Sequence, residues 1–96
     1  MPSSDPRDPS RVRQLVVDWL DDNYHFGDAE AVIGDDERSF MQNGVLDSLG
    51  FVQLVLFLEN RLGITIDRRE LSVDNFDGLA KICRYVTGHP QFAGVP

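Results

Sequence analysis

The sequence contains very little cysteine and histidine, with one Cys and two His among 96 residues. A single cysteine forms no internal disulfide, which agrees with a reducing compartment. One Cys and two distant His do not make a zinc ligand set, so no metal site is expected. Cys83 falls on the apolar stripe of a predicted helix, which favours an inert buried thiol over a nucleophile.

Basic residues are also scarce: nine Lys and Arg stand against 16 Asp and Glu, giving a net charge of −7 and a pI near 4.5. Phosphate contacts need clustered Lys and Arg, so nucleic acid is not expected as a partner. Basic protein surfaces fit this charge better. The acidic run at 35–37 lacks the ligand spacing of a calcium loop and is interpreted as a solvated loop.

Long apolar runs are missing too. No stretch approaches the ~20 apolar residues of a membrane span, and the N-terminus lacks a secretion signal, so the chain is predicted to be cytoplasmic and without a membrane contact. The length suits one domain with a modest core. Three prolines and two serines in residues 1–9 predict a disordered leader, followed by a domain at 10–87 and a flexible tail at 88–96.

Helical periodicity dominates what remains. A first helix capped by Ser10 and ending near Asp21 to Tyr24 is predicted from spaced apolar residues, namely Val12, Leu15, Val16 and Trp19. A last helix starting at Asp74 to Asp77 has an apolar face formed by Leu79, Ile82, Cys83 and Val86. Asp67 is expected to cap a short helix reaching Leu71. With no credible hairpin, these patterns predict an all-α bundle with three major helices and a short third.

A long loop, from Asn23 to Leu46, separates the first two major helices and shows no sustained periodicity. Such a loop is unusual in a small domain unless it is functional or held by its own side chains. Apolar residues that include Phe26 and Phe40 are available to hold it. Short helical turns are expected at Ala29 to Ile33 or at Asp36 to Met41.

The most informative stretch runs from Gly44 to Gly63. Asp and Ser favour helix starts and Gly favours helix ends, so a helix is predicted from Asp47-Ser48 to Gly63. One face forms a core stripe, consisting of Phe51, Leu54, Val55, Leu58 and Leu62. A second apolar row, consisting of Leu49, Val52 and Leu56, lies on the opposite side. Ser48 therefore sits at the positive end of a helix, where a phosphate is favoured.

These residues resemble the modification site of the acyl carrier protein family, which includes peptidyl and aminoacyl carrier domains. The resemblance rests on Asp47-Ser48-Leu49, the apolar helix ending at Gly63-Ile64, and the downstream segments Ile64 to Asp67 and Asn75 to Asp77, and it covers roughly residues 10 to 87. It implies that Ser48 is esterified by 4'-phosphopantetheine from coenzyme A. Asp47 would help to position the serine and a metal ion in the complex with the phosphopantetheinyl transferase.

The resemblance also implies a carrier that catalyses no reaction itself. Its partners would be the transferase, an acyl- or aminoacyl-activating ligase, and a ketosynthase, acyltransferase or condensing enzyme. Docking is expected at Leu49, Val52, Leu56 and Glu59. Acidic residues are sparse on this helix, which argues against a role in general fatty acid synthesis. The start at Met1, the leader and the short tail resemble a free-standing carrier, expected to be a monomer, and Asp-Ser-Leu-Gly-Phe resembles discrete carriers of specialised pathways. Phe51 and Phe57 are expected to narrow any cavity for an attached chain, so that a short load stays outside the core.

Two alternatives remain open. A serine hydrolase needs a Gly-x-Ser-x-Gly elbow and a nearby base, whereas residues 46–50 read Leu-Asp-Ser-Leu-Gly and the histidines are His25 and His89. A non-catalytic interaction module, with Ser48 serving only at the helix start, explains the exposed apolar row without a cofactor. Modification of the purified protein by a transferase separates this module from the carrier.

Overall fold

The computed structural model describes residues 7–25 and 27–95, and this part of the chain is helical without any strand. The all-α prediction is therefore confirmed for the described residues. The α-helices are α1 (Pro9–Leu20), α2 (Ala29–Ile33), α3 (Ser48–Leu62), α4 (Val73–Phe76) and α5 (Leu79–Thr87). A π-helical turn, Asp21–His25, continues α1, and a 3-10 turn, Arg68–Glu70, precedes α4. None of the helices in the described ranges is long and apolar enough to cross a bilayer.

Helix α1 begins earlier than its sequence suggested. Asp8, not Ser10, is the N-cap: its carboxylate accepts a hydrogen bond from the backbone N–H of Ser10 at 2.9 Å. Pro9 takes the first helical position, where its missing N–H costs nothing and its fixed φ already suits a helix. The predicted cap at Ser10 was therefore wrong by two residues, and most of the expected leader, residues 1–6, lies outside the described part of the chain.

Helix α3 has the bounds that its sequence predicted. The Asp47 carboxylate accepts a hydrogen bond from the backbone N–H of Gly50 at 2.8 Å, which caps the N-terminus. Gly63 ends the helix in the left-handed conformation, with φ of 67°, and donates its N–H to the carbonyl of Glu59. Leu54 and Leu58 are fully buried on the inner face, so the core stripe is confirmed.

The last helix is interrupted near its start. Residues 73–76 form α4, and α5 begins only at Leu79, so the predicted single start at Asp74 to Asp77 was wrong. Gly78 separates the two helices with φ of 154°, a conformation that L side chains rarely adopt. A Cβ at this position would lie 3.0 Å from the carbonyl oxygen of Arg38. The break between α4 and α5 therefore requires glycine, because the long loop lies so close to residue 78.

Helix α5 packs against α1 and α4, and α3 adds four buried side chains to the core: Leu54, Val55, Leu58 and Leu62. Trp19 of α1 stacks on Phe57 of α3, with ring centroids 5.6 Å apart, and so joins these two helices. Phe92 is also buried, and the side chain of Gln91 accepts a hydrogen bond from the N–H of Thr65 at 2.6 Å. The segment expected to be a flexible tail thus starts with residues that pack on the helical core.

The long loop is held by specific side chains. The Arg13 guanidinium of α1 binds Glu30 at 2.6 Å and Asp36 at 2.9 Å, and these two carboxylates lie on either side of Gly34. Residues 29–33 form the short helix that the sequence allowed, and Phe40 is buried. The Asn43 amide donates to the carbonyls of Val32 and Ile33. Sequence analysis missed Arg13, because nothing local indicates that it contacts residues 17 and 23 positions away.

Arg13→Gln is expected to lower the free energy of unfolding at pH 7 by about 1 kcal/mol, a small value because solvent screens these partly exposed pairs. The hydrogen bond from Arg13 holds the pKa of Glu30 below its usual range. This stabilisation is complete above the unfolded-state pKa of Glu, about 4.3, and is lost as the pH falls through the lower folded-state pKa. Urea unfolding of both proteins at several pH values should show the difference shrinking in acid.

Arg69→Gln is the matched control for this prediction. Arg69 also binds a carboxylate, that of Asp67 at 2.8 Å, but its side chain is largely exposed and the pair lies within one turn. Its replacement should leave the urea midpoint unchanged. Equal effects of the two substitutions would contradict the view that Arg13 anchors the loop.

Candidate functional site

Ser48 is the first residue of α3 and is exposed to solvent. The first intrahelical hydrogen bond runs from the N–H of Phe51 to the carbonyl of Asp47, at 3.0 Å. The backbone N–H groups of Ser48 and Leu49 therefore belong to the open end of the helix, where its dipole is positive. A negatively charged group on the Ser48 hydroxyl is favoured there and has room to reach solvent.

The second apolar row of α3 is exposed, as its spacing predicted. Leu49, Val52 and Leu56 expose 65%, 56% and 52% of their surface, although most large apolar side chains of the described chain are buried. An exposed apolar patch on a small protein usually marks a contact with a partner. The same helix thus buries one face and presents another beside Ser48.

A cleft of about 230 Å³ opens next to Ser48. Its walls come from α3, from the long loop, and from the segment that leads into α5; they consist of Met41, Ser48, Phe51, Val52, Val55, Leu71, Ser72, Phe76 and Asp77. Phe51 lines the cleft. Phe57 does not line it; its ring stacks on Trp19 instead, and its expected role stays a prediction.

Sequence analysis missed the far wall of this cleft. Met41 and Leu71 are exposed by 48% and 44% and face the same opening as Val52. The two residues lie in separate non-periodic segments, so no spacing rule connects them with each other or with Ser48. Their exposure extends the apolar surface of α3 across the cleft.

The two acidic residues singled out on α3 also have roles within the fold. Asp47 caps the helix while its side chain stays exposed. Glu59 is half-buried, and its carboxylate accepts a hydrogen bond from the N–H of Ile66 at 2.9 Å. Glu59 therefore fixes the segment after α3, a contact that its helical position alone did not reveal.

His89, one of the two candidate bases, is engaged in other hydrogen bonds, and the Cys83 thiol is partly buried. The His89 ring accepts the N–H of Gln91 on Nδ1 at 3.0 Å, which leaves Nε2 to donate to the carbonyl of Thr65 at 2.8 Å. The side chain of His25 lies outside what the structure describes. Burial raises the pKa of the Cys83 thiol to about 11, so little thiolate forms at neutral pH.

Comparisons with known proteins match residues 10–86 to the family described as phosphopantetheine attachment site. The chain is also similar to D-alanyl carrier protein 1 of Lactiplantibacillus plantarum, at 40% identity over 53 residues. That match covers 55% of this chain and 66% of the relative, just under two thirds of its length. No solved structure matched the chain. Ser48 lies near the middle of the family match, at the start of the longest helix.

Proposed function

Because the chain belongs to the phosphopantetheine attachment family, whose prosthetic group is 4'-phosphopantetheine, we propose that Ser48 is its attachment residue. The observation that carries this proposal is an exposed serine at the first position of a 15-residue helix inside the matched residues. The protein then acts as an acyl or aminoacyl carrier that holds substrates as thioesters and presents them to the enzymes of a specialised biosynthetic pathway. It performs no bond-making of its own after loading.

The local structure suits the attachment chemistry. The Ser48 oxygen forms a new bond to the phosphorus of coenzyme A, the phosphoanhydride bond breaks, and adenosine 3',5'-bisphosphate leaves. A phosphopantetheinyl transferase supplies the base that takes the serine proton. The N-terminus of α3 stabilises the resulting phosphodiester charge, and Asp47 orients the first turn by capping it. When bound, the group supplies a thiol on a flexible arm, which raises effective concentrations to the order of millimolar.

The test uses the intact mass of the purified protein. Incubation with coenzyme A, magnesium and a broad-specificity phosphopantetheinyl transferase should add the mass of one phosphopantetheine group. Digestion and fragmentation should then place this group on Ser48. An unchanged mass would overturn the carrier function and leave the non-catalytic interaction module, which the exposed row of α3 would also serve.

We assign a short acyl or aminoacyl load to this carrier. The cleft of about 230 Å³ is below the ~300 Å³ at which typical ligand pockets begin, so it does not enclose a long chain together with the arm. The relative named as a D-alanyl carrier protein supports an amino acid. An adenylating ligase would then activate the load, and a condensing enzyme, acyltransferase or ketosynthase would consume it. The cytoplasm, where coenzyme A is available, is the proposed location.

The fold that fits this role is a four-helix bundle of the acyl carrier type. In this arrangement α1, α3 and α5 are the three major helices, and the short elements between residues 68 and 76 take the place of the third. The loop between α1 and α3 contains α2. Agreement of a solution structure with this arrangement would support the proposed function independently of the mass measurement.

The exposed row formed by Leu49, Val52 and Leu56 is proposed to dock partner enzymes, with Glu59 at its end. Leu56→Ala is expected to lower kcat/KM of modification by the transferase about tenfold, because we place Leu56 among the few interface residues whose truncation costs more than 1 kcal/mol. The loss should appear mainly in KM. Steady-state rates measured with increasing carrier concentration separate the two parameters.

Asn60→Ala, an exposed polar substitution on the same helix, is the control for Leu56→Ala and should leave kcat/KM unchanged. Glu59→Gln measures the acidic contribution while keeping an acceptor for Ile66. A larger loss from Glu59→Gln than from Leu56→Ala would show charge-based docking and contradict docking through the apolar row.

A further inference from the structure

Asp77 is a buried charged residue in the break between α4 and α5, with only 5% of its surface exposed. Its two carboxylate oxygens are used separately. The hydroxyl of Ser39 donates to Oδ2, and the backbone N–H of Met41 donates to Oδ1 at 3.0 Å. Hydrogen bonds to a charged acceptor are stronger than neutral ones, so this carboxylate holds the loop firmly on either side of Phe40.

Further contacts hold the long loop against the segment around Asp77. The N–H of Ala80, in the first turn of α5, donates to the carbonyl of Asp36 at 2.9 Å. The backbone at Gly78 lies against the carbonyl of Arg38, as described above. Residues 36–41 therefore follow residues 77–80 closely, and we call this line of contacts the loop seam. Asp77 and Met41 are members of the loop seam that also line the cleft beside Ser48.

Met41 connects the loop seam with the cleft. Its backbone N–H is fixed by Asp77, and its half-exposed side chain forms part of the cleft wall opposite α3. Phe40, the residue before it, is buried and lies 6.3 Å from Phe51, between ring centroids. The position of Met41 thus depends on one buried ring and one carboxylate, and the carboxylate is the contact nearer to the cleft.

The size of the cleft indicates which part of the phosphopantetheine arm can bind in it. The cleft of about 230 Å³ is smaller than the ~300 Å³ at which typical ligand pockets begin, so it takes a part of the arm rather than the whole arm with a load. Beyond its phosphate, the arm begins with a methylene group, and the next carbon bears two methyl groups. This branched segment is the apolar part nearest to Ser48, and the apolar walls of the cleft suit it.

We propose that Asp77 is a positioning residue for the arm: by holding Ser39 and Met41, it keeps the cleft shaped to receive the branched first segment of phosphopantetheine. This inference rests on the proposed attachment at Ser48. Asp77 does not touch the reacting hydroxyl, so it acts through Met41. Losing the carboxylate frees the loop and releases the arm from the cleft without removing the attachment serine.

The test is an NMR study of the holo protein, prepared by the transferase reaction and checked by mass. Cross-relaxation peaks are expected between the two arm methyl groups and the methyl groups of Met41 and Leu71. In Asp77→Ala these peaks should be lost, and amide exchange at Met41 should become about tenfold faster, as expected for one hydrogen bond. Modification at Ser48 should still go to completion.

Asp77→Asn keeps the side-chain volume and one acceptor oxygen, so it should retain part of the peak intensity and remains informative if the alanine variant unfolds. Asp74→Asn, an exposed carboxylate in α4, is the control and should change nothing. Unchanged arm peaks in both Asp77 variants, or no such peaks in the wild-type holo protein, would overturn this inference alone. A wild-type protein that gains no mass would overturn the proposed function first.

Discussion

Ser48→Ala is expected to abolish the mass gain in the transferase reaction completely. The substitution removes the oxygen that would bond to phosphorus, and no other group supplies an equivalent hydroxyl at the first position of α3. Because Ser48 is exposed and Asp47 provides the cap, alanine should leave the helix intact. Intact mass and a thermal melt on the same sample measure both parts of this prediction.

Ser72→Ala is the matched control, since Ser72 lines the same cleft but does not start α3. It should be modified as completely as the wild-type protein. If the Ser48 variant still gained the mass of one group, the attachment residue would have to be sought elsewhere. If both variants failed, accessibility of the cleft, rather than one hydroxyl, would control modification.

Helix α3 was predictable from sequence because its signals are local. Asp47 caps it, Gly63 ends it, and the two apolar faces follow from spacing within one helix. The start of α1 was misplaced because two capping residues, Asp8 and Ser10, compete within three positions. Proline at the first helical position favours the earlier of them.

The far wall of the cleft was not predictable, because it depends on contacts between distant segments. Asp77 binds Met41 and Ser39, which lie 36 and 38 positions away along the chain, and Met41 and Leu71 line one cleft only once the loop has folded. The break at Gly78 has the same origin: glycine there allows a positive φ and the approach of Arg38. The spacing of apolar residues describes single helices and does not predict contacts between distant segments.

Glu59 shows a third reason why the sequence alone does not predict every contact. Its helical position placed it at the end of the exposed row, and a docking role was the direct interpretation. In the structure its carboxylate also binds the N–H of Ile66, after the helix has ended. Glu59 therefore has a role in the fold that its helical position did not reveal, while its docking role stays a prediction.

Phe40→Ala is expected to destabilise the protein by about 3–5 kcal/mol, a large share of the 5–15 kcal/mol that holds a typical domain together. Phe40 is only 1% exposed and packs near Phe51, so its removal leaves a cavity under the loop that carries Met41. Urea unfolding monitored by circular dichroism measures the change. Met41→Ala, one residue away and 48% exposed, should alter stability by less than about 0.5 kcal/mol. Similar losses from both neighbours would contradict the view that Phe40 anchors the loop from below while Met41 faces the cleft.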